Sequence, residues 1–251
     1  MKRALKWIER GIDYDLDCGR PTICEFLQTV SPFDSVVDIG AGRGHDLSTA
    51  KKFSGNAILT GLDSNSERVR GLKDQGFNAF LMSIEKDKYP FASESIDVFI
   101  ANQVLEHTKE IYFIFHEVTR CLRVGGHFIV GIPNIASLHN RFLLLMGIQP
   151  TQARNYGEHV RAFTKNDFVN FLSRVWPGGY EIESFRGSQF YPFPGFMARR
   201  LSLFLPNCSF CIYFLLRKTK KYYREFLDYP VTQGMGHQFY LGGTAEDEYS
   251  K

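Results

Sequence analysis

Residues 36–44 read Val-Val-Asp-Ile-Gly-Ala-Gly-Arg-Gly. A short apolar run carrying one acid, Asp38, leads into glycines at alternate positions, Gly40, Gly42 and Gly44. The apolar part fits a parallel strand buried on both faces. The glycines permit a sharp turn and let the backbone approach a ligand closely. A dinucleotide fingerprint, G-x-G-x-x-G, needs a third glycine where His45 stands. A phosphate-binding P-loop needs Gly-Lys-Ser/Thr, which does not follow. What remains is D-x-G-x-G-x-G at the end of a strand.

Outward from this loop, strand-like and helix-like stretches alternate. A helix over 21–30, with Pro21 at an early position, leads to a strand over 35–39. Then come a helix near 46–53, a strand over 57–62, a helix near 66–74 and a short strand near 79–82. A strand over 96–101, a helix near 109–122 and a strand over 127–132 close the series. This alternation predicts a parallel sheet with right-handed crossovers. The pattern breaks at 135–163, where an extra helix over 136–146 and a loop over 147–157 are expected. Thr164, with Asp167 three residues on, then reads as an N-cap. A helix to about 174 and strands over 180–185 and 210–217 follow. The domain boundaries expected are a helical lead-in over 1–34, a core domain over 35–218 with an insert at 135–163, and an extension over 219–251 whose polar end, 244–251, frays.

The motifs resemble, in order and at family spacing, those of class I S-adenosylmethionine (SAM)-dependent methyltransferases of the ubiquinone/menaquinone-biosynthesis type. The stretch 38–44 looks like the first motif, and Thr60-Gly-Leu-Asp63 like the second strand with its terminal acid. Ser83-Ile84 with Tyr89-Pro-Phe91 looks like the adenine-side loop. Residues 97–107 resemble the fourth motif, and Leu122-Arg-Val-Gly-Gly126 and Pro133-Asn134 complete the set. More loosely, residues 133–164 resemble small bacterial methyltransferases of surface-polysaccharide or natural-product pathways. The resemblance implies a Rossmann-like, doubly wound, mostly parallel seven-stranded sheet with an antiparallel edge and a helical insert.

It also implies SAM as cofactor and S-adenosyl-L-homocysteine (SAH) as product, and it assigns residues to each part of the ligand. Asp63, with Ser64 beside it, is expected at the ribose diol, where a strand-end acid supplies acceptors; capping of the next helix is the plainer alternative. Gly40, Ala41 and Gly42 present backbone N–H groups to the carboxylate, and Asp38 faces the cationic amino end. Ser83 and Ile84 border adenine, although family members often carry an acid where Ser83 stands. Asn102 and Gln103 follow the fourth strand beside the methionine amine.

Methyl transfer to a hydroxyl is helped by a base, and histidine is suited to that task. His159, in Gly-Glu-His-Val-Arg, and His107, in Gln-Val-Leu-Glu-His, are the candidates. Helix capping for His107 and a loop-ordering hydrogen bond for His159 remain open. His116 and His127 fall inside regular elements and read as structural. No H-x-x-x-H pair or carboxylate cluster calls for a metal.

Composition sets the remaining expectations. The formal net charge is +3, from 30 Lys+Arg against 27 Asp+Glu. With basic residues spread along the chain, this does not predict nucleic-acid binding. The densest basic cluster, Lys218, Lys220 and Lys221, reads as a solvated segment. Five cysteines, an odd count without a framework, suit a reducing compartment. Cys208-Ser-Phe-Cys211 has no second pair to complete a zinc site and reads as small residues entering a strand. Neither a signal peptide nor an uninterrupted stretch of about 20 apolar residues is present, so a cytoplasmic protein is expected. The expected partner is a small-molecule or glycan-like acceptor. The favoured reaction is O-methylation, with N- or C-methylation of a small metabolite, or a non-catalytic SAM-binding subunit, as alternatives.

Overall fold

The computed structural model describes residues 19–191, 193 and 195–242. Among the described residues the first helix is α1 (Arg20–Val30), followed by β1 (Ser35–Ile39), α2 (His45–Ala50), β2 (Ile58–Asp63), α3 (Ser66–Asp74) and β3 (Asn78–Leu81). Next come β4 (Ile96–Asn102), a 3-10 turn (Leu105–His107), α4 (Ile111–Cys121) and β5 (Leu122–Pro133). Helices α5 (Leu138–Leu145) and α6 (Lys165–Val175), strand β6 (Tyr180–Ser188), helix α7 (Gly195–Phe204), strand β7 (Cys211–Lys218) and helix α8 (Glu225–Thr232) complete the order.

The seven strands form one sheet in the order β3-β2-β1-β4-β5-β7-β6. β1 pairs in parallel with β2 and β4, and β4 with β5. β7 runs antiparallel to both β5 and β6. Order and polarity match the doubly wound sheet expected from the motifs. The strand order reverses between β1 and β4, which places a ligand crevice at the carboxyl ends of those two strands.

Strand alternation builds a core on each face. Val98 and Ile100 of β4 join a cluster with Ile23 and Phe26 of α1 and Leu47 of α2. Phe99 and Ala101 point the other way, into a cluster with Phe115 of α4, Phe168 of α6 and Phe226 of α8. Burial on both faces explains why these strands read as continuous apolar runs rather than alternating ones.

Three findings revise the sequence reading. Lys218 is fully buried rather than solvated. Its ammonium donates to the carbonyls of Thr119 (3.0 Å) and Leu122 (2.7 Å) and lies 3.3 Å from Glu94 Oε1. The last carbonyls of α4 have no intrahelical donor, so a cation is favoured there. The segment beyond β7 also enters the core: Phe226 of α8 is fully buried, 5.2 Å from the Phe115 ring. Helix α7, not evident from the sequence, lies between β6 and β7, so those strands are neighbours without a tight hairpin. The expected frayed end, 244–251, lies outside the described residues, as does most of the lead-in before α1. Among the described residues, no helix is long and apolar enough to cross a membrane.

Candidate active site

The glycine loop leaves β1 and enters α2. Gly40 and Gly42 have φ of 70° and 56°, a region that L side chains rarely occupy. A Cβ on Gly40 would sit 2.6 Å from Val104 Cγ2, so the loop fits under the residue opening the 3-10 turn only without a side chain. At Gly42 a Cβ would meet nothing closer than a backbone oxygen at 3.9 Å, which leaves that side of the loop open for a ligand.

Asp63 ends β2 beside this loop. Its Oδ2 accepts from Gly42 N–H at 3.0 Å and its Oδ1 from Asn65 N–H at 2.9 Å. The helix cap is Asn65, which accepts from Glu67 N–H and Arg68 N–H. Asp63 therefore does not cap α3; it ties the second strand to the glycine loop. Arg68 Nη1 also lies 3.7 Å from Oδ2, beyond hydrogen-bond reach, so of a carboxylate's roughly four lone-pair positions about two remain for a diol. Ser64 is exposed next to it.

Asp38 and Asp46 lie in the same region and are buried, at 3% and 8% exposure. Burial first, then the charges of Asp46 and Asp63, pushes the Asp38 carboxyl well above the usual range. Burial raises Asp46 as well, against a hydrogen bond from Asn102 Nδ2 at 2.9 Å. Asp46 Oδ1 is buried without a hydrogen-bond partner among the described residues. Three carboxylates thus converge at the crevice, and among the described residues neither Asp38 nor Asp46 forms an ion pair. A site with this field favours a cation. Asp46 was not singled out in the sequence; the signal was an acid in the first helical turn after the glycine loop.

At the carboxyl end of β4, Asn102 is bonded to Asp46 and Gln103 has φ of 55°. A left-handed glutamine is uncommon and costs on the order of 1–3 kcal/mol, a feature that clusters at ligand sites. Its N–H donates to the Gly131 carbonyl at 2.8 Å, and its side-chain Nε2 is buried without a partner among the described residues. Ser83 and Ile84 follow β3 and are half-buried. Ser83 N–H donates to Asp87 Oδ2 at 2.7 Å, which orders this loop.

The insert closes on itself. Asn134 and Phe163 bridge in parallel, and Ile135 N–H donates to the Phe163 carbonyl at 2.9 Å. Both ends therefore meet at the carboxyl end of β5. Val160 N–H and Arg161 N–H donate to the Glu106 carbonyl at 2.8 and 3.1 Å, which docks the insert onto the 3-10 turn. This docking brings the two candidate bases together: the His107 and His159 rings meet edge-to-face with centroids 4.8 Å apart. His107 Nδ1 is 3.2 Å from the Glu158 carbonyl. His107 thus orders the loop, and it is not excluded from chemistry by doing so. Burial, then the neighbouring His107, lowers the His159 pKa and keeps that ring neutral and able to accept a proton. Between them lies Glu106, 1% exposed, whose carboxyl burial pushes up to about 8. Sequence reading passed over Glu106 because its burial is a tertiary fact.

A cavity of about 260 Å³ opens beside the end of the insert, lined by its Val160, Arg161 and Phe163, Tyr112 of α4, Phe171 of α6 and Phe239. The tail covers this side: the Phe239 and Tyr112 rings are 4.8 Å apart, and Tyr240 N–H donates to Glu110 Oε2 at 2.6 Å. The two histidines read as structural, His116 and His127, pair elsewhere. His116 Nδ1 is 2.9 Å from the Tyr222 hydroxyl, and His127 Nε2 is 3.0 Å from Glu183 Oε2.

Comparison with known proteins agrees with this geometry. Residues 37–130 match a protein family described as a methyltransferase domain. An arsenite methyltransferase of Halobacterium salinarum is 30% identical over 122 residues, covering 46% of this chain and 30% of that protein. The chain spans about a third of the length of the curated relatives it matches. Among solved structures, a SAM-dependent methyltransferase of Thermotoga maritima superposes with a TM-score of 0.57 at 14% identity, covering 87% of this chain and 100% of that one. The geranyl diphosphate C-methyltransferase of Streptomyces coelicolor, solved with Mg2+, geranyl diphosphate and SAH, superposes with a TM-score of 0.52 at 13% identity, over 79% of each chain. Identities this low show a shared fold. Residues 37–130 thus match a methyltransferase-domain family, and the sheet around them has the fold of solved S-adenosylmethionine-dependent methyltransferases.

Proposed function

We propose that the protein is a SAM-dependent methyltransferase that transfers the methyl group to an oxygen of a small-molecule or glycan-like acceptor. The observation that carries this reading is the convergence of Asp38, Asp46 and Asp63 on the glycine loop, with neither Asp38 nor Asp46 in a salt bridge among the described residues and with the more distant charges of Arg20 and His45 acting on Asp46. SAM brings two positive centres, an ammonium and a sulfonium, to such a site. Asp63 has lone pairs left for the ribose hydroxyls, the loop N–H groups suit the carboxylate, and Ser83 with Ile84 borders the adenine. Asn102 and Gln103 lie where the methionine amine arrives.

The acceptor sits between the crevice and the cavity beside the end of the insert. There His159 takes the acceptor's hydroxyl proton, with His107 as the next candidate. The oxygen lone pair forms the new C–O bond while the C–S bond breaks and its electrons return to sulfur. SAH leaves as a neutral thioether, and the imidazolium returns its proton to solvent. Because the sulfonium is already a good leaving group, orientation supplies much of the rate and the base adds to it. Aromatic side chains around the cavity, with Arg161 at its wall, suit an amphipathic acceptor. The modest net charge and the small molecules named for similar proteins, arsenite and geranyl diphosphate, support a small acceptor over a nucleic acid.

Calorimetric titration with SAM and SAH tests the reading. Binding of one equivalent is expected, and Asp63→Ala should weaken it at least ~10-fold, since a hydrogen bond to a charged group is worth roughly 1.5–3 kcal/mol. A well-folded chain that binds neither ligand would defeat the proposal. Saturable SAH binding without methyl transfer to any of a broad acceptor panel would favour a non-catalytic SAM-binding subunit.

A further inference from the structure

No ligand motif is spaced along the sequence, yet folding gathers one carboxylate and two imidazoles. Glu106, His107 and His159 present ligand atoms that all lie within 4.8 Å of one another. Glu106 Oε1 stands 3.9 Å from His107 Nε2. We infer that these three side chains form a binding site for a divalent transition-metal ion, two imidazole nitrogens and one carboxylate, with its open coordination positions facing the acceptor.

Three features support it beyond proximity. The first is Glu106 itself. Its side chain is 1% exposed, and its Oε2 is buried with no hydrogen-bond partner among the described residues. A buried carboxylate oxygen without a partner is costly, and a cation is the partner it lacks. The second is the way His107 is held. Its Nδ1 lies 3.2 Å from the Glu158 carbonyl. A ring N–H given to a backbone carbonyl fixes the tautomer and leaves the other nitrogen's lone pair free, the arrangement found behind metal-ligating histidines. For His107 that other nitrogen is Nε2, the one turned to Glu106. The third is backbone anchoring. The Glu106 carbonyl receives both Val160 N–H and Arg161 N–H, so ligands from the 3-10 turn and the insert are held in one frame.

The ligand set selects the ion. Around a metal with bonds of ~2.1 Å, ligand atoms stand roughly 3–4 Å apart, so binding needs a contraction of about 1 Å. Two imidazoles with a carboxylate suit Zn2+, Co2+, Mn2+ or Fe2+, whereas Mg2+ and Ca2+ prefer oxygen ligands throughout. Three protein ligands leave positions for water or an acceptor oxygen, and an ion there lowers the pKa of a bound hydroxyl. Ligation and proton acceptance use the same imidazole lone pair. With an ion bound, His159 is therefore a ligand, and the acceptor's proton leaves to solvent. This use of the ion rests on the methyltransferase reading; its binding does not.

The test uses the full chain, stripped with a chelator and titrated with Co2+, read by its d–d absorption, and with Mn2+, read by loss of the free-ion electron paramagnetic resonance signal. SAH titration runs in parallel. One ion per chain is expected, with visible bands of nitrogen and oxygen coordination. Glu106→Gln and His159→Ala should each weaken binding at least ~10-fold while SAH affinity stays within about twofold. His107→Ala, at an exposed position, carries the same expectation if the buried Glu106→Gln variant does not fold. A chain that binds SAH but takes up neither ion at millimolar concentration overturns the inference and leaves the methyltransferase reading standing. Binding that survives in all the folded variants also overturns it. Ion uptake without SAH binding would keep the metal site and sink the cofactor reading.

Discussion

The glycine loop and the insert face one another across the carboxyl edge of one sheet, and their parts come from different distances along the chain. Asp63 and Gly42, which join the second strand to the loop, are 21 residues apart. His107 and Glu158, which join the 3-10 turn to the insert, are 51 apart. The first pair lies within one strand–helix–strand unit, whose geometry follows from local pattern and the fixed handedness of the crossover. The second requires the insert to leave β5, form α5, return to Asn134 at Phe163 and dock on Glu106. One half is a short motif; the other is a meeting of segments, and the two should respond differently to substitution.

The largest expected difference is in turnover. His159→Ala should reduce methyl transfer by ~10²–10⁴-fold, the usual contribution of a positioned base, while SAH affinity stays within about twofold. Single-turnover kinetics beside a binding titration separates the two. An equal loss of SAH affinity would erase the division between the halves, and intact turnover would leave His107 or positioning alone.

The next effect concerns the scaffold beneath both halves. Burial depresses the His116 pKa from 6.5 to about 4. The unfolded chain therefore binds more protons in that interval, and stability falls as pH drops from about 6.5 toward 4. Linkage limits this contribution to about 3 kcal/mol, at 1.36 kcal/mol per pKa unit. Denaturant titrations at pH 7 and pH 4.5 should show the loss, and His116→Gln should flatten it. An unchanged slope would place the acid sensitivity elsewhere, the site carboxylates included.

The smallest effect sharpens the cofactor half. Gly40→Ala puts a Cβ 2.6 Å from Val104 Cγ2 and holds an alanine at positive φ. A cost of roughly 1–3 kcal/mol is expected, read as a fall of about tenfold or more in SAH affinity with little change in the Glu106–His159 region. Adding Val104→Ala removes the 2.6 Å contact but leaves Val104 Cβ at 3.1 Å and the strain in place. Partial recovery is expected; full recovery would assign the whole effect to crowding between the loop and the turn.

Residue patterns alone reached the alternation of β and α elements, the glycine loop and the strand-end acid Asp63, because buried parallel strands, positive-φ turns and acid-terminated strands leave marks within a few residues. Thr164 as a cap was equally local, and its Oγ1 accepts from Asp167 N–H at 3.1 Å. Tertiary structure decided the rest. Lys218 looks like part of a solvated cluster until the open carbonyls at the end of α4 are placed beside it. Phe226 looks like tail until α8 lays it against Phe115. Asp46 and Glu106 are ordinary acids in sequence; burial, which depends on what other segments cover, gives them shifted protonation and unpartnered oxygens. The meeting of His107 with His159 depends on a closed insert and two backbone hydrogen bonds to one carbonyl, and no spacing along the chain encodes that.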